Sequence, residues 1–235
     1  SRQACLQSST MAVELARREN AKLHVLHITT EEELQLFEPG HARITAEACV
    51  HHLWFEELSY ATLGPLIKCN PAIKKASDRD AIRQAVSDGR ISILATDHAP
   101  HTWDEKQGTY FHAPSGLPLI QHTLLLMLEM CEQECFTIET VVERACHAPA
   151  NLFQVKNRGY LREGYWADIV IVDPSKHTTV KETELFSKCQ WSPFPHFTFT
   201  NSIDTTIVSG EIAYQERNLQ SACRGNRVEF KKDRR

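Results

Sequence analysis

Three short apolar runs, KLHVLHI (22–28), RITAEAC (43–49) and ISILAT (91–96), alternate with segments of helical spacing, and this alternation constrains the fold more than any other feature of the chain. Ahead of the first run, residues 7–19 set Met11, Val13, Leu15 and Ala16 among charged residues and predict a helix with one packed face. TTEEELQLF (29–37) predicts a second helix, with threonine at its cap and three acids in its first turn, where the helix dipole favours them. Pro39-Gly40 ends it. A loop-rich stretch, 50–76, follows the second run, and SDRDAIRQAVSDG (77–89) predicts a third helix that stops at a glycine. Parallel strands need crossovers of this kind, and ISILAT is continuously apolar, as befits a strand covered on both faces. The order predicts an α/β fold built on a parallel sheet or barrel.

A polar loop (97–117) and two more helical stretches, LPLIQHTLLLMLEMCEQ and TIETVVERACHAPANLF, come next. Beyond Gly159 the texture changes to short β-rich pieces, YWADIVIVD, HFTFTN and TTIVSGEIAYQ. We place the boundary so that residues 1–157 form the α/β part and 158–235 a smaller β-rich part. The basic tail RVEFKKDRR reads as a frayed terminus.

The chain has 235 residues, 42% hydrophobic and 24% charged, enough to bury a core. A net charge of −4 gives no electrostatic footprint for nucleic acid or an anionic membrane. No apolar stretch reaches the ~18 residues of a membrane span, and no signal-peptide pattern is read. Eight cysteines without a CxxC pair, scattered in apolar company, read as reduced thiols in a cytoplasmic protein.

Ligands gather at the carboxyl ends of strands in parallel α/β folds, and all three runs end in polar chemistry. The first ends in His27; the second carries Glu47, with His51 and His52 just beyond; the third leads into Asp97, His98 and His101. By the two-residue period Leu23, Val25 and His27 share a face, so His27 is predicted to project with core residues at the strand end. Imidazole and carboxylate together suit a borderline divalent ion such as zinc. Taken singly, each residue also has a structural reading: a hydrogen-bonded histidine, an aspartate capping a turn, a polar loop corner at His51-His52. Glu47 needs a partner in either case, because an unpaired buried carboxylate is costly. The spacing alone supports metal-assisted hydrolysis and goes no further.

ATDHAPHTWDEK (95–106) resembles the signature of the dihydroorotases, cyclic amidohydrolases of pyrimidine synthesis. LHITTEEE, ITAEACVHHLWF, KCNPAIK, HAPSGLPLIQHTL, GYLREGYWADIVIVD, CQWSPFPHFTF and SIDTTIVSGEIAY resemble further segments of that family, with Ala72, Ile73 and Lys74 as departures. The resemblance implies a metal-dependent amidohydrolase (β/α)8 barrel, of which this chain carries about strands six to eight, followed by a C-terminal β-rich domain. It implies that His27 ligates one metal of a two-zinc centre, and that Asp97 ligates the other and moves a proton. It gives substrate-holding roles to Asn70, His101, Ser115 and Gly116, puts Glu47 behind the metal site as support, and leaves His98 without a role. The implied reaction is the reversible interconversion of dihydroorotate and N-carbamoyl-aspartate, on the route to UMP, by a metal-activated water. A homodimer is compatible with it.

No His-x-His pair occurs in the chain, so the family's first-strand ligands, its fourth-strand bridge and its fifth-strand histidine are read as lying upstream. Two protein ligands fall short of the three that usually hold a catalytic zinc. The 235-residue chain by itself is therefore expected to be inactive, and its cut sheet edges to make it poorly soluble. Two other readings stay open: a hydantoinase or allantoinase, and a non-catalytic dihydroorotase-like scaffold subunit. His101 after DHAP favours the dihydroorotase reading, and retention of His27, Asp97 and His101 counts against the scaffold.

Overall fold

The computed structural model describes residues 1–231. In chain order the elements are α1 (Arg2–Arg18), β1 (Leu23–Val25), β2 (Ile44–Cys49), α2 (Val50–Trp54), α3 (Tyr60–Leu63), α4 (Ala76–Asp88) and β3 (Ile93–Ala95). They continue with α5 (Trp103–Lys106), α6 (Thr123–Glu132), α7 (Ile138–Val142) and α8 (Ala148–Leu152). The remaining strands are β4 (Ile169–Asp173), β5 (Thr178–Thr179), β6 (Thr198–Phe199), β7 (Ser202–Val208), β8 (Glu211–Gln215) and β9 (Asn218–Leu219).

The three apolar runs form one parallel sheet in the order β1-β2-β3. The first half of β2 pairs with β1 (Leu23 opposite Ile44) and its second half with β3 (Glu47 opposite Ile93). Each crossover carries helical residues against a sheet face. In α4 Asp78 accepts from the Lys75 amide, and Gly89 closes the helix in the left-handed conformation (φ +89°). A side chain at Gly89 would also meet the Arg144 guanidinium at 2.9 Å. The later strands form an antiparallel sheet, β4-β7-β8-β9, and a separate β5-β6 pair.

One apolar cluster runs through the molecule. Val13, Ile28, Ala46, Leu53, Ile82, Ile91, Leu126 and Met130 pack in it with Val180, Leu185, Phe194 and Phe199 from beyond residue 158. The stretch from Val180 to Phe199 thus shares its core with the parallel sheet; burying one such phenylalanine stabilises by roughly 1.5–3 kcal/mol.

Several local expectations are corrected. The first helix starts at Arg2, capped by Ser1, and buries Ser9, Val13 and Ala16, while Met11 and Leu15 face solvent. The segment expected as a helix over 29–37 is a five-residue 3-10 turn, Glu32–Leu36. Its Glu33 is buried and accepts from Ser9 Oγ (2.6 Å) and Thr30 Oγ1 (2.7 Å), so the threonine serves that carboxylate instead of a helix cap. The helix expected from Leu117 begins only at Thr123, because Leu117 bridges in parallel to His98. The second helical stretch holds, with a π-turn over Glu143–His147 between α7 and α8. The tail is not frayed where it is described: Phe230 bridges to Val155, and the Lys156 amide donates to the Glu229 carbonyl (2.8 Å). Its last residues, 232–235, lie outside the described residues.

Candidate metal centre

His27 and Asp97 both stand just past a strand, His27 after β1 and Asp97 after β3, and both hold left-handed backbone (φ +56° and +46°). Such φ values are uncommon outside glycine, though His and Asp tolerate them better than most. At His27 the conformation overrides the predicted alternation of faces. The Ile28 amide still donates to the Glu47 carbonyl (2.9 Å) and its side chain enters the core, so the turn between them frees the imidazole to swing toward Glu47 and Asp97.

Glu47, buried in β2, accepts from His24 Nε2 at 3.0 Å and lies 2.8 Å from His27 Nδ1, which also meets Cys49 Sγ at 3.0 Å. His24 Nδ1 in turn meets Thr45 Oγ1 at 2.8 Å. Burial alone pushes the Glu47 carboxyl up, but the His24 and His27 hydrogen bonds outweigh it and hold the group at about 2. The same hydrogen bond raises His27 against its burial. Because a carboxylate only accepts, Nδ1 of His27 carries the proton and Nε2 of the neutral ring offers a lone pair. That Nε2 faces Asp97 Oδ1 at 3.7 Å. The gap is too long for a hydrogen bond. It leaves room for a metal between the two atoms, which are spaced much like two ligands of one tetrahedral cation (roughly 3.4 Å apart), even though the resemblance assigns each residue its own metal of the pair. Carboxylate behind imidazole, with the far nitrogen bare, is the usual support of a metal-bound histidine. The donor set therefore fits a divalent metal.

Among the other named residues, His101 meets the Ser115–Gly116 loop. His101 Nε2 donates to the Ser115 carbonyl (3.0 Å). Gly116 donates to the Lys68 carbonyl (2.8 Å), which ties the Asn70 segment to the same loop, and Asn70 itself is exposed. Gly116 (φ +143°) leaves no room for a side chain, since a Cβ would lie 2.5 Å from that of Ala99. His98 accepts from the Leu119 and Ile120 amides through Nδ1 (3.0 and 3.2 Å), so its work is to hold the loop.

Sequence reasoning passed over several of these groups. His24 is legible only once β1 is set in register with β2, where it lies opposite Thr45, two residues before Glu47. Lys106 reads as one more charge in WDEK, yet its side chain is fully buried and donates to the Pro114 and Gly116 carbonyls (2.9 Å each). Lys68 holds the Tyr110 and Ala113 carbonyls in the same way. His51 and His52, one reading of which is a polar loop corner, are buried on α2. A cavity of about 630 Å³ lies elsewhere, lined by Val180, Tyr214 and Arg217 among others; it contains none of the His27, Glu47 and Asp97 set, and the chemistry argues for the strand tips. No helix among the described residues is long and apolar enough to cross a membrane.

Residues 9–213 match the sequence profile of the amidohydrolase family. The chain is similar to the dihydroorotase of Halobacterium salinarum, 33% identical over 218 residues that make up 89% of this chain and 51% of that protein. It is similar to the dihydroorotase of Clostridium acetobutylicum, 36% identical over 207 residues, 86% of this chain and 49% of that protein. Among solved structures, the L-hydantoinase (dihydropyrimidinase) of Arthrobacter aurescens superposes with a TM-score of 0.86 at 23% identity, over 91% of this chain and 49% of that one. The chain thus spans about half the length of the curated relatives it matches.

Proposed function

The chain belongs to the amidohydrolase family, and from that premise we propose that it is the portion of a dihydroorotase that carries about strands six to eight of a (β/α)8 barrel and the closing β-rich domain, divided near residues 157 and 158. The observation that carries the reading is the pairing of His27 Nε2 with Asp97 Oδ1 at 3.7 Å, backed by Glu47 on the other ring nitrogen.

His27 and Asp97 would hold zinc, with ligands from the rest of the protein completing a two-metal centre. When bound, the metals activate water and polarise the amide carbonyl. Glu47 fixes the His27 tautomer and ring plane. Asp97, half-buried beside the reacting position, takes a proton at its carboxylate and returns it to the ring nitrogen of dihydroorotate as the amide opens to N-carbamoyl-aspartate. His101, Asn70, Ser115 and Gly116 hold the substrate's polar groups. The buried ammonium of Lys106 keeps the Ser115–Gly116 loop in place. A cytoplasmic setting belongs to the same reading and draws support from eight free cysteines; a homodimer is its assembly state to be checked.

The test uses the whole protein. It should hydrolyse dihydroorotate in preference to dihydrouracil or a hydantoin, and Asp97→Asn should lower kcat by at least the roughly 10²–10⁴ typical of general acid–base catalysis, with metal content measured alongside to separate the loss of a ligand from the loss of the proton carrier. Preference for hydantoin substrates would move the assignment to the hydantoinases. No turnover of any cyclic amide by the metal-loaded protein would leave a scaffold.

A further inference from the structure

A second group of metal-binding side chains lies behind the His27–Asp97 pair. Cys49 ends β2, and His51 and His52 stand in the first turn of α2. Cys49 Sγ and one nitrogen of each ring lie within 4.8 Å of one another. All three residues are buried, with 0%, 0% and 3% of their surface exposed.

Neither nitrogen of His51 has a hydrogen-bond partner, and neither does Nδ1 of His52. Leaving a buried polar atom unpaired costs about 1–3 kcal/mol, so three together call for an explanation. The His52 tautomer supplies part of one. Its Nε2 lies 2.8 Å from the Pro71 carbonyl, which can only accept, so Nε2 carries the proton and the bare Nδ1 is a lone pair. A carbonyl behind one nitrogen and nothing on the other is how proteins prepare a metal-ligating histidine. Cys69 Sγ donates to the same carbonyl (3.2 Å) and so belongs to the backing of the ring. Burial holds both rings neutral.

We propose that Cys49, His51 and His52 form a buried site for a thiophilic d10 cation, zinc(II) or copper(I), distinct from the His27–Asp97 centre. Two imidazoles and a thiolate are a donor set that such cations favour. On binding, the Cys49 S–H bond breaks, the sulfur–metal bond forms and one proton leaves to solvent. The rings give lone pairs and release none. Copper(I) would make the site neutral; zinc would leave one positive charge close to Glu47. Cys49 Sγ also lies 3.0 Å from His27 Nδ1, so this site shares a wall with the first. The inference is independent of the reaction proposed above.

The experiment strips the whole protein of metal and reloads it with zinc sulfate or, in a separate anaerobic arm, with copper(I) held by a competing chelator. Metal content and X-ray absorption at the metal edge are then read. One cation per chain should show a sulfur scatterer, a signature that the O- and N-ligated His27–Asp97 centre does not produce. Cys49→Ser should abolish that signal and lower bound metal by one equivalent. His52→Gln should lower it by the same equivalent, and His27→Asn should leave the sulfur signal in place. The arm that gives the signal identifies the cation. Absence of sulfur scattering with both cations, or stoichiometry unchanged in Cys49→Ser, would overturn the site in favour of bound water. Should the variants fail to fold, cobalt(II) loading of the unaltered protein decides: a thiolate-to-metal charge-transfer band supports the site, and its absence refutes it.

Discussion

The parallel sheet and the antiparallel sheet both rely on residues in left-handed backbone, for opposite reasons. In the antiparallel sheet these residues are Ser209 and Gly210 between β7 and β8, and Glu216 and Arg217 between β8 and β9, all with φ between +48° and +91°. Each pair is a two-residue hairpin loop, and the strand twist demands positive φ at both positions. In the parallel sheet no hairpin asks for it. His27 and Asp97 hold the conformation where the chain leaves a strand, and their side chains end 3.7 Å apart. A positive φ therefore marks a site only where turn geometry does not already require it. Burial separates the regions too: five of the six β2 residues are buried, whereas β4 has none in that class.

Two lysines give the widest contrast. Lys106 sits inside the parallel half on two loop carbonyls, with burial lowering its pKa to about 8. Lys176 pairs with Asp173 in solvent beside β4. Lys106→Met strands both carbonyls and should cost about 2–4 kcal/mol, read from urea unfolding of the whole protein, with a raised KM from the loosened 114–116 loop. Lys176→Met should leave the unfolding midpoint unchanged, because an ion pair in solvent contributes little. Equal losses would erase the distinction.

Acid should act through the shared core. His122 stacks on Phe199 and meets Ser192 Oγ at 3.3 Å, and burial lowers it from 6.5 to about 4. Below pH 6.5 the unfolded chain takes up a proton that the folded one refuses, so this contribution is full above 6.5 and fades as pH falls toward 4. By linkage the loss is on the order of 3 kcal/mol at pH 4. In His122→Phe the stability profile between those limits should flatten; an unchanged slope would remove His122 from the account.

The parallel sheet was legible because its strands are continuous apolar runs between helical segments, and TDHAPH stands out as letters. What escaped was whatever depends on register and on side chains reaching across loops. His24 meets Glu47 only because β1 and β2 pair as they do, and Lys106 gains its role from carbonyls eight and ten residues away. Periodicity assigned His27 a face it does not use, since a single left-handed residue cancels the two-residue alternation. The helix expected over 29–37 failed because a buried carboxylate, Glu33, recruited the cap. Local propensity carries no information on that long-range partner.

Glu47 tests whether the strand tips are built as a unit. Gln in its place can accept from one ring only, and its amide must donate to the other, so His24 or His27 has to exchange tautomers. If His27 does so, Nε2 becomes protonated and cannot ligate. Metal affinity of the whole protein should fall about ten- to a hundredfold in Glu47→Gln, measured by competition with a chelator. Unchanged affinity would mean that Glu47 serves packing alone.

The smallest effect belongs to the antiparallel sheet. Val170 and Ile171 point to opposite faces of β4 and are 43% and 47% exposed, so solvent reaches both sides. Val170→Thr keeps the β-branched shape that suits a strand opposite Thr206 and trades a methyl for a hydroxyl that water can satisfy. The change in unfolding free energy should stay within about 0.5 kcal/mol, as for other surface substitutions. A buried hydroxyl without a partner costs about 1–3 kcal/mol, so a loss of that size in the whole protein would mean that this face is covered there. The contrast between the sheets would then rest on the strand tips alone, because burial would no longer separate them.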